Sequence, residues 1–293
     1  MLPMRNKNKV LTPRYNIIHL NFYYMFLSLL QEIYVLTSRL FIQLIRRPST
    51  LIAGIIQPLL WLVLFGALFQ NAPVGIFSNT NSYIDFLTPG IIVFTAFGGA
   101  LNAGLPIMFD REFGFFNRLL VVPLVSRLSI TISCSIFIAF LSILQSIFII
   151  LFTHVIGVPS PTLLGLLLVS LIILLLTVGI TSISLLLAFL LPGHVELLAT
   201  LLVINLPLLF ASTALAPLHF MPAWLQIVAS LNPLTYAIEP VRYLYSNISL
   251  YEQQYEMGNI WGELNLLNII KILITFDLST LLILKFLLRK KIR

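Results

Sequence analysis

The sequence predicts an all-α polytopic membrane protein: six transmembrane helices, an N-terminal interfacial amphipathic helix, and a re-entrant helical segment before the last span. Three observations carry that prediction. Of the 293 residues, 59% are hydrophobic and only 9% are charged. Soluble domains run at about 45–50% and 25%, so the charged side chains here are too few to cover a water-facing surface. Uncharged stretches of the ~20 residues needed to cross a ~30 Å hydrocarbon core recur along the chain. The Lys and Arg residues, 17 in all, gather between alternate stretches. Soluble enzyme folds, nucleic-acid-binding domains and disordered scaffolds are excluded at this point, and the single Cys134 rules out an intramolecular disulfide.

Residues 1–50 read as an N-terminal arm. Met1–Arg14 is polar and basic, without the short apolar core or cleavage site of a signal peptide. Phe22–Arg47 is predicted to be a helix lying on the membrane. At 100° per residue, Ser28, Glu32, Arg39, Gln43 and Arg46 fall within about 60° of one another. The remaining surface is largely apolar, which suits a narrow wet face at an interface. The other reading, a seventh span, would place Glu32 and Arg39 in hydrocarbon.

Residues 51–288 then form the transmembrane domain. No charge lies between Arg47 and Asp85, and Leu51–Phe69 is the first span. Thr88–Phe109 is the second. From Leu128 to Val195 there is again no Asp, Glu, Lys or Arg, a stretch far too long for one helix. The run His154-Val155-Ile156-Gly157-Val158-Pro159-Ser160-Pro161 divides it, because a glycine and paired prolines favour a turn. Spans three and four are therefore Ser129–Thr153 and Thr162–Leu191. Leu197–Ala216 is the fifth and Leu264–Leu288 the sixth, followed by the basic tail Arg289–Arg293. Each must be helical, since unpaired backbone groups are costly in lipid.

Six spans put both termini on one side, and the charges agree. Fifteen of the 17 basic residues fall in the N-terminal arm, the loop after span 2 and the C-terminal end, leaving Arg242 and Lys271 opposite. By the positive-inside rule both termini face the cytoplasm or stroma.

Several local sequences fit this topology. Arg47-Pro48 runs into Ile56-Gln57-Pro58, Trp61 and Phe65-Gly66. Tyr83-Ile84-Asp85-Phe86-Leu87-Thr88-Pro89-Gly90 opens span 2. Asp110-Arg111-Glu112-Phe113-Gly114 follows it, with Arg118-Leu119-Leu120 and Pro123-Leu124-Val125-Ser126-Arg127. Later come Pro207-Leu208-Leu209-Phe210, Ser212, Pro217, Met221-Pro222-Ala223-Trp224-Leu225, Asn232-Pro233-Leu234-Thr235-Tyr236-Ala237 and Arg242. In one collinear order over about residues 40–290, these resemble the ABC-2 type transporter permeases, the membrane halves of ABC exporters. The resemblance implies a homodimeric permease working with a separate ABC ATPase subunit. ATP would be used by that partner, with no cofactor bound by this chain and no enzymatic activity of its own. The sequence agrees, for it contains no G-x-x-x-x-G-K-[ST] phosphate loop.

Within that frame, Asp110, Arg111, Glu112, Gly114 and Arg118 are the candidate ATPase-coupling residues. A short helix begun and capped by Asp110 would protrude as a rigid charged element. Arg111 and Glu112 would pair across the interface, and Pro123 would end the element. The bland reading is a loop charged for solubility. His194 and Glu196, in the short loop between spans 4 and 5, form a candidate second coupling loop. On the opposite side Pro222, Trp224, Asn232, Pro233 and Tyr236 belong to an apolar stretch broken by Pro217, Pro222, Pro233 and Pro240. Two short helices forming an exit-side cap fit it, with Trp224, Tyr236 and Tyr243 at interface level. An interfacial loop without a gating role fits equally.

Asp277 lies near the middle of span 6, where an ionisable group marks a functional-site hypothesis. Pairing, a protonated state and substrate contact all stay open for it. Gln145, Asn102 and Asn205 read as interhelical hydrogen-bonding amides. No His, Cys or carboxylate cluster has metal-ligand spacing, and no catalytic constellation appears.

The function expected is thus ATP-driven export of an amphipathic, lipid-like or glycan-like substrate. An ion-coupled secondary carrier is the alternative. Such carriers show matched broken helices in two halves and midplane charges, whereas here the proline breaks cluster in one half. The chain uses 37 Ile and 22 Phe against 15 Ala and 14 Gly. That skew points to an A/T-rich coding sequence. The match looks like the plastid-encoded permeases of algae, with a bacterial inner membrane as the other setting. Membrane lipids are the remaining expected partner, and nucleic acid is not one.

Overall fold

The computed structural model describes residues 14–71, 82–114, 128–245, 257–259 and 262–291. Among these residues the helices are α1 (Arg14–Arg46), α2 (Pro48–Leu68), α3 (Tyr83–Leu101), α4 (Leu105–Glu112), α5 (Leu128–Ile156), α6 (Leu163–Leu190), α7 (His194–Phe210), α8 (Ala223–Leu231), α9 (Pro233–Tyr245) and α10 (Leu266–Lys291). Strands β1 (Met257–Asn259) and β2 (Gly262–Leu264) pair antiparallel before α10, a small addition to an otherwise helical protein.

Among the described residues six helical stretches are long and apolar enough to cross a membrane: Met25–Arg46, Pro48–Leu68, Tyr83–Glu112, Ser129–Ile156, Leu163–Leu190 and Leu266–Leu287. Five coincide with expected spans 1, 2, 3, 4 and 6. The sixth is the body of α1, where the sequence suggested an interfacial helix. Expected span 5 is shorter than read: α7 has 17 residues and ends at Phe210, six residues before Ala216. At 1.5 Å per residue it measures about 26 Å, and the chain beyond it is irregular. Span 2 begins five residues early and runs through a break at Asn102–Gly104 into α4.

Local sequence explains most boundaries. Pro48 occupies the first turn of α2, where its missing N–H costs nothing. Ser82 caps α3 by accepting from the amide of Asp85 at 3.2 Å, and Thr162 caps α6 by accepting from that of Gly165 at 3.1 Å. The predicted turn after α5 is a Schellman closure. Gly157 adopts φ +102°, its amide reaches the carbonyl of His154 at 3.1 Å, and that of Val158 reaches Thr153 at 3.0 Å.

The most buried helix is α3, which packs against α2, α5, α6 and α9. Two close approaches place it. The Gly104 amide donates to Ser184 Oγ at 2.9 Å, and that hydroxyl donates to the Leu101 carbonyl, so one α6 side chain satisfies both sides of the break. At Gly90 the backbone of Ala214 fills the space a side chain would occupy. Gln145 of α5 sits in another glycine gap, its amide against Gly54 of α2 and near Gly99 of α3, which is the interhelical placement expected of it. Asn102 instead donates within its own helix, to the Gly98 carbonyl at 2.9 Å.

Helix α1 runs beside the start of α5. Phe41 meets Phe137 and Phe140 edge-on at 5.2 and 5.1 Å. Its polar stripe is not simply wet. Ser129 of α5 donates to Glu32 at 2.9 Å, and Arg39 bonds Asp110 of α4. Met25, Phe26, Leu30, Val35, Ile42 and Ile45 are exposed on the outer faces.

The glycines of α3 predict opposite outcomes. Gly90→Ala should lower the unfolding midpoint of the purified permease, with a cost of about 1–3 kcal/mol from overpacking against Ala214. Gly98→Ala, with open space around the new methyl group, should leave it unchanged or raise it.

Candidate functional site

The expected coupling residues come together at the end of the bundle where α4 stops. Asp110 does not begin a helix there. It lies in the last turn of α4, which runs on from the α3 break, so its carboxylate has no free N-terminal amides to cap. It receives Nη2 of Arg39 on both oxygens at 2.5 Å instead. The next two residues have opposite charges and meet opposite helix ends. Arg111 donates to the carbonyls of Ala188 and, at 3.2 Å, Leu191, where α6 leaves its last carbonyls unpaired. Glu112 accepts from the amide of His194 at 2.6 Å and bonds His194 Nδ1 at 2.5 Å, at the start of α7.

These pairings follow the helix dipoles. A cation sits at the negative end of α6 and an anion at the positive end of α7. The N-cap of α7 is Gly193, which has no side chain to offer, so Glu112 supplies the cap from another segment. Glu196 stands in the first turn of α7 with its carboxylate also against Gly193. The Phe109 ring lies 5.3 Å from that of His194. The two candidate coupling loops are therefore one assembly. Gly114, at φ +75°, turns the chain out of α4 in a conformation that L side chains rarely adopt. Arg118 and Pro123 lie outside the described residues. Phe113, 81% exposed, and Val195 remain on the surface beside the assembly.

At the opposite end, two short helices stand where the cap was expected. Pro222 is the N-cap of α8, with its carbonyl accepting from Leu225 and Gln226, and Pro233 opens α9. Pro240 does not interrupt α9, contrary to the reading of the proline pattern. Trp224 is exposed, as an interfacial anchor would be, but Tyr236 is buried and donates to the Ser230 carbonyl at 2.7 Å, inside the protein rather than at an interface.

Asn232 is the hinge between the two helices and is also buried. Its Nδ2 donates to the carbonyls of Leu208 and Ala211 at 2.8 and 2.6 Å, and its Oδ1 accepts from the Leu234 amide at 3.0 Å. It thus ties the end of α7 to the start of α9.

The irregular backbone after α7 is buried at Ala211–Ala214, and unpaired carbonyls there would be expensive. Side chains supply partners for them. Arg242 donates to the Thr213 carbonyl at 2.6 Å and Tyr83 to that of Leu215 at 3.2 Å. The Arg242 guanidinium lies 3.9 Å from the Phe86 ring centroid and is paired with Glu239 at 2.5 Å. Sequence reasoning placed Arg242 on this side but gave it no role. Its signal was an isolated basic residue on the side that carries almost none, with Glu239 three positions earlier on the same helical face.

Asp277 is 7% exposed on α10, its Oδ1 against Gly179 of α6 and without a hydrogen-bond partner among the described residues. The described residues bring together no three His, Cys, Asp or Glu side chains able to hold a metal ion.

Helices long and apolar enough to cross a membrane, with buried helix breaks closed by side chains and charged helix ends gathered at one face, define a helical multi-pass membrane protein. The chain belongs to the ABC-2 type transporter family, whose model matches residues 31–245. It is 57% identical over 250 residues to a protein of Porphyra purpurea provisionally named transport permease ycf38, covering 85% of this chain and 86% of that one. Proteins of the same name from Pyropia yezoensis and Cyanophora paradoxa are 53% and 55% identical. They cover 90% and 89% of this chain, and 91% and 90% of their own lengths.

Two outcomes follow from the geometry. Glu112→Ala removes the cap of α7, so amide hydrogen exchange should accelerate at His194 and in the first turn of α7 while α3 is unaffected. Arg242→Leu should destabilise the protein by about 3 kcal/mol by leaving Glu239 partly buried and unpaired. The double replacement Arg242→Leu/Glu239→Leu should recover part of that loss in thermal unfolding.

Proposed function

We propose that this chain is the transmembrane permease subunit of an ATP-driven ABC exporter, acting as a homodimer with two copies of a separate ATPase subunit. The observation that carries the reading is the convergence of Asp110, Arg111 and Glu112 with His194 and Glu196 at one end of the bundle. A motor must push on something stiff, and here one protruding corner is attached to four helices at once.

Arg39 links the corner to α1, Arg111 to α6 and Glu112 to α7, while α4 continues through its break into α3. Arg111 and Glu112 are spent inside the chain and act as braces. The exposed Phe113 and Val195 beside them are the docking surface offered to the ATPase. Its ATP stays with that partner, and this chain binds no cofactor.

The remaining assignments rest on position. Helix α1 lies along the membrane surface, because its Glu32 and Arg39 find partners at the start of α5 and the end of α4. The pair α8–α9 forms the re-entrant exit-side cap. Spans that are largely apolar and uncharged suit an amphipathic, lipid-like or glycan-like substrate. The relatives are algal and the Ile- and Phe-rich composition points to an A/T-rich coding sequence, so a plastid membrane is the location we infer, with both termini in the stroma.

The experiment is charge reversal at the corner, in a permease purified with its ATPase. Arg111→Glu and Glu112→Lys should each strip the ATPase from the complex or lower transport per ATP hydrolysed. If either variant keeps both ATPase retention and coupling at wild-type levels, the coupling assignment is wrong.

A further inference from the structure

Asp277 lies halfway along α10, with its carboxyl directed at α6. A methyl group at Gly179 would collide with Asp277 Oδ1 and with the Phe276 ring, so the missing side chain makes the notch that receives both. Around this carboxyl the charge inventory is short. Leu163–Leu190 of α6 contains no titratable residue. On α10 itself Lys271 and Lys285 are exposed. Helix α9, which also packs on α10, carries Tyr236, Glu239, Arg242, Tyr243 and Tyr245. Of these, Arg242 and Glu239 are paired with each other and Tyr236 is bonded to Ser230. Among the described residues no ion pair reaches Asp277, and its Oδ1 has no hydrogen-bond partner. An ionised carboxylate at this depth would have no cation beside it, and among the described residues the Gly179 amide of α6 is the one backbone group placed to favour it, too little to compensate a buried charge.

We propose that Asp277 is a proton-binding site in the middle of the membrane, and that its protonated carboxyl seats α10 on α6. The proton supplies what the carboxylate lacks: it makes the group neutral and turns one oxygen into a donor. The carboxyl approaches the backbone of α6 only because position 179 is glycine, since a side chain there would hold it away. Helix carbonyls keep a second lone pair after their own bond is made, so they can accept this donor. The ligand is the proton itself, with no metal ion required, and the site is independent of the coupling corner.

The test is infrared difference spectroscopy on the purified permease in lipid nanodiscs, wild type against Asp277→Asn. At neutral pH the wild type should show a carboxylic-acid carbonyl band, shifted in D₂O, that the variant lacks. A carboxylate-only difference would overturn the proposal. The second reading is thermal unfolding against pH. A carboxyl held protonated by the folded state adds stability at low pH and loses it as pH rises through its folded-state titration. The wild-type midpoint should therefore fall relative to Asp277→Asn as pH rises, and parallel curves would refute the proposal. Should the Asn variant fail to accumulate, ¹³C-carboxyl labelling of aspartate in the wild type reads the same band, present or absent.

Discussion

In hydrocarbon, a backbone N–H or C=O released from a helix has no water to turn to and must find a partner within the protein. The architecture depends on how three breaks are closed, two of them buried and one at the exposed coupling corner. At Leu101–Gly104 the partner is the single hydroxyl of Ser184. Between α6 and α7 it is the side chains of Arg111 and Glu112, one for each helix end. After α7 it is the set formed by Asn232, Arg242 and Tyr83. Each closing side chain comes from a different element than the break it serves. Irregular backbone is thereby converted into attachments between helices, which apolar packing alone does not orient in lipid.

One consequence is mechanical. The rod made by α3 and α4 touches all three sites: Tyr83 and Phe86 at one end, the Ser184 junction within, Arg111 and Glu112 at the other. The two ends are thus joined through one element, interrupted once at Asn102–Gly104. At that interruption the residues make 3₁₀ rather than α-helical bonds, and Ser184 holds both sides of it.

What the sequence made legible is what hydropathy and turn chemistry govern. Absence of charge located five of the six helices, and the Gly157–Pro161 punctuation gave the α5–α6 turn. The limits of α7 were misjudged because an apolar run continues to Ala216 whether or not the backbone is helical, and composition cannot register the change. Asp110 was misread as a helix start because a charged triplet after an apolar span looks the same whether it caps a new helix or ends an old one. What decided it was Arg39, a residue 71 positions away, and pairings at that distance leave no local pattern. The same holds for Arg242, whose partners Thr213 and Phe86 lie 29 and 156 positions back.

Those separations also fix an order of events during synthesis. The break at Gly104 leaves the ribosome 80 residues before Ser184, and Phe86 precedes Arg242 by 156. Until the later residues are made, the Leu101 carbonyl and the Gly104 amide lack Ser184, and the Phe86 carbonyl lacks Arg242. Water or the insertion machinery must serve them in the meantime. The first half of the chain thus cannot complete its own structure in lipid. Its attachments through Ser184 and through the arginine near the end of α9 close only once those later helices are made.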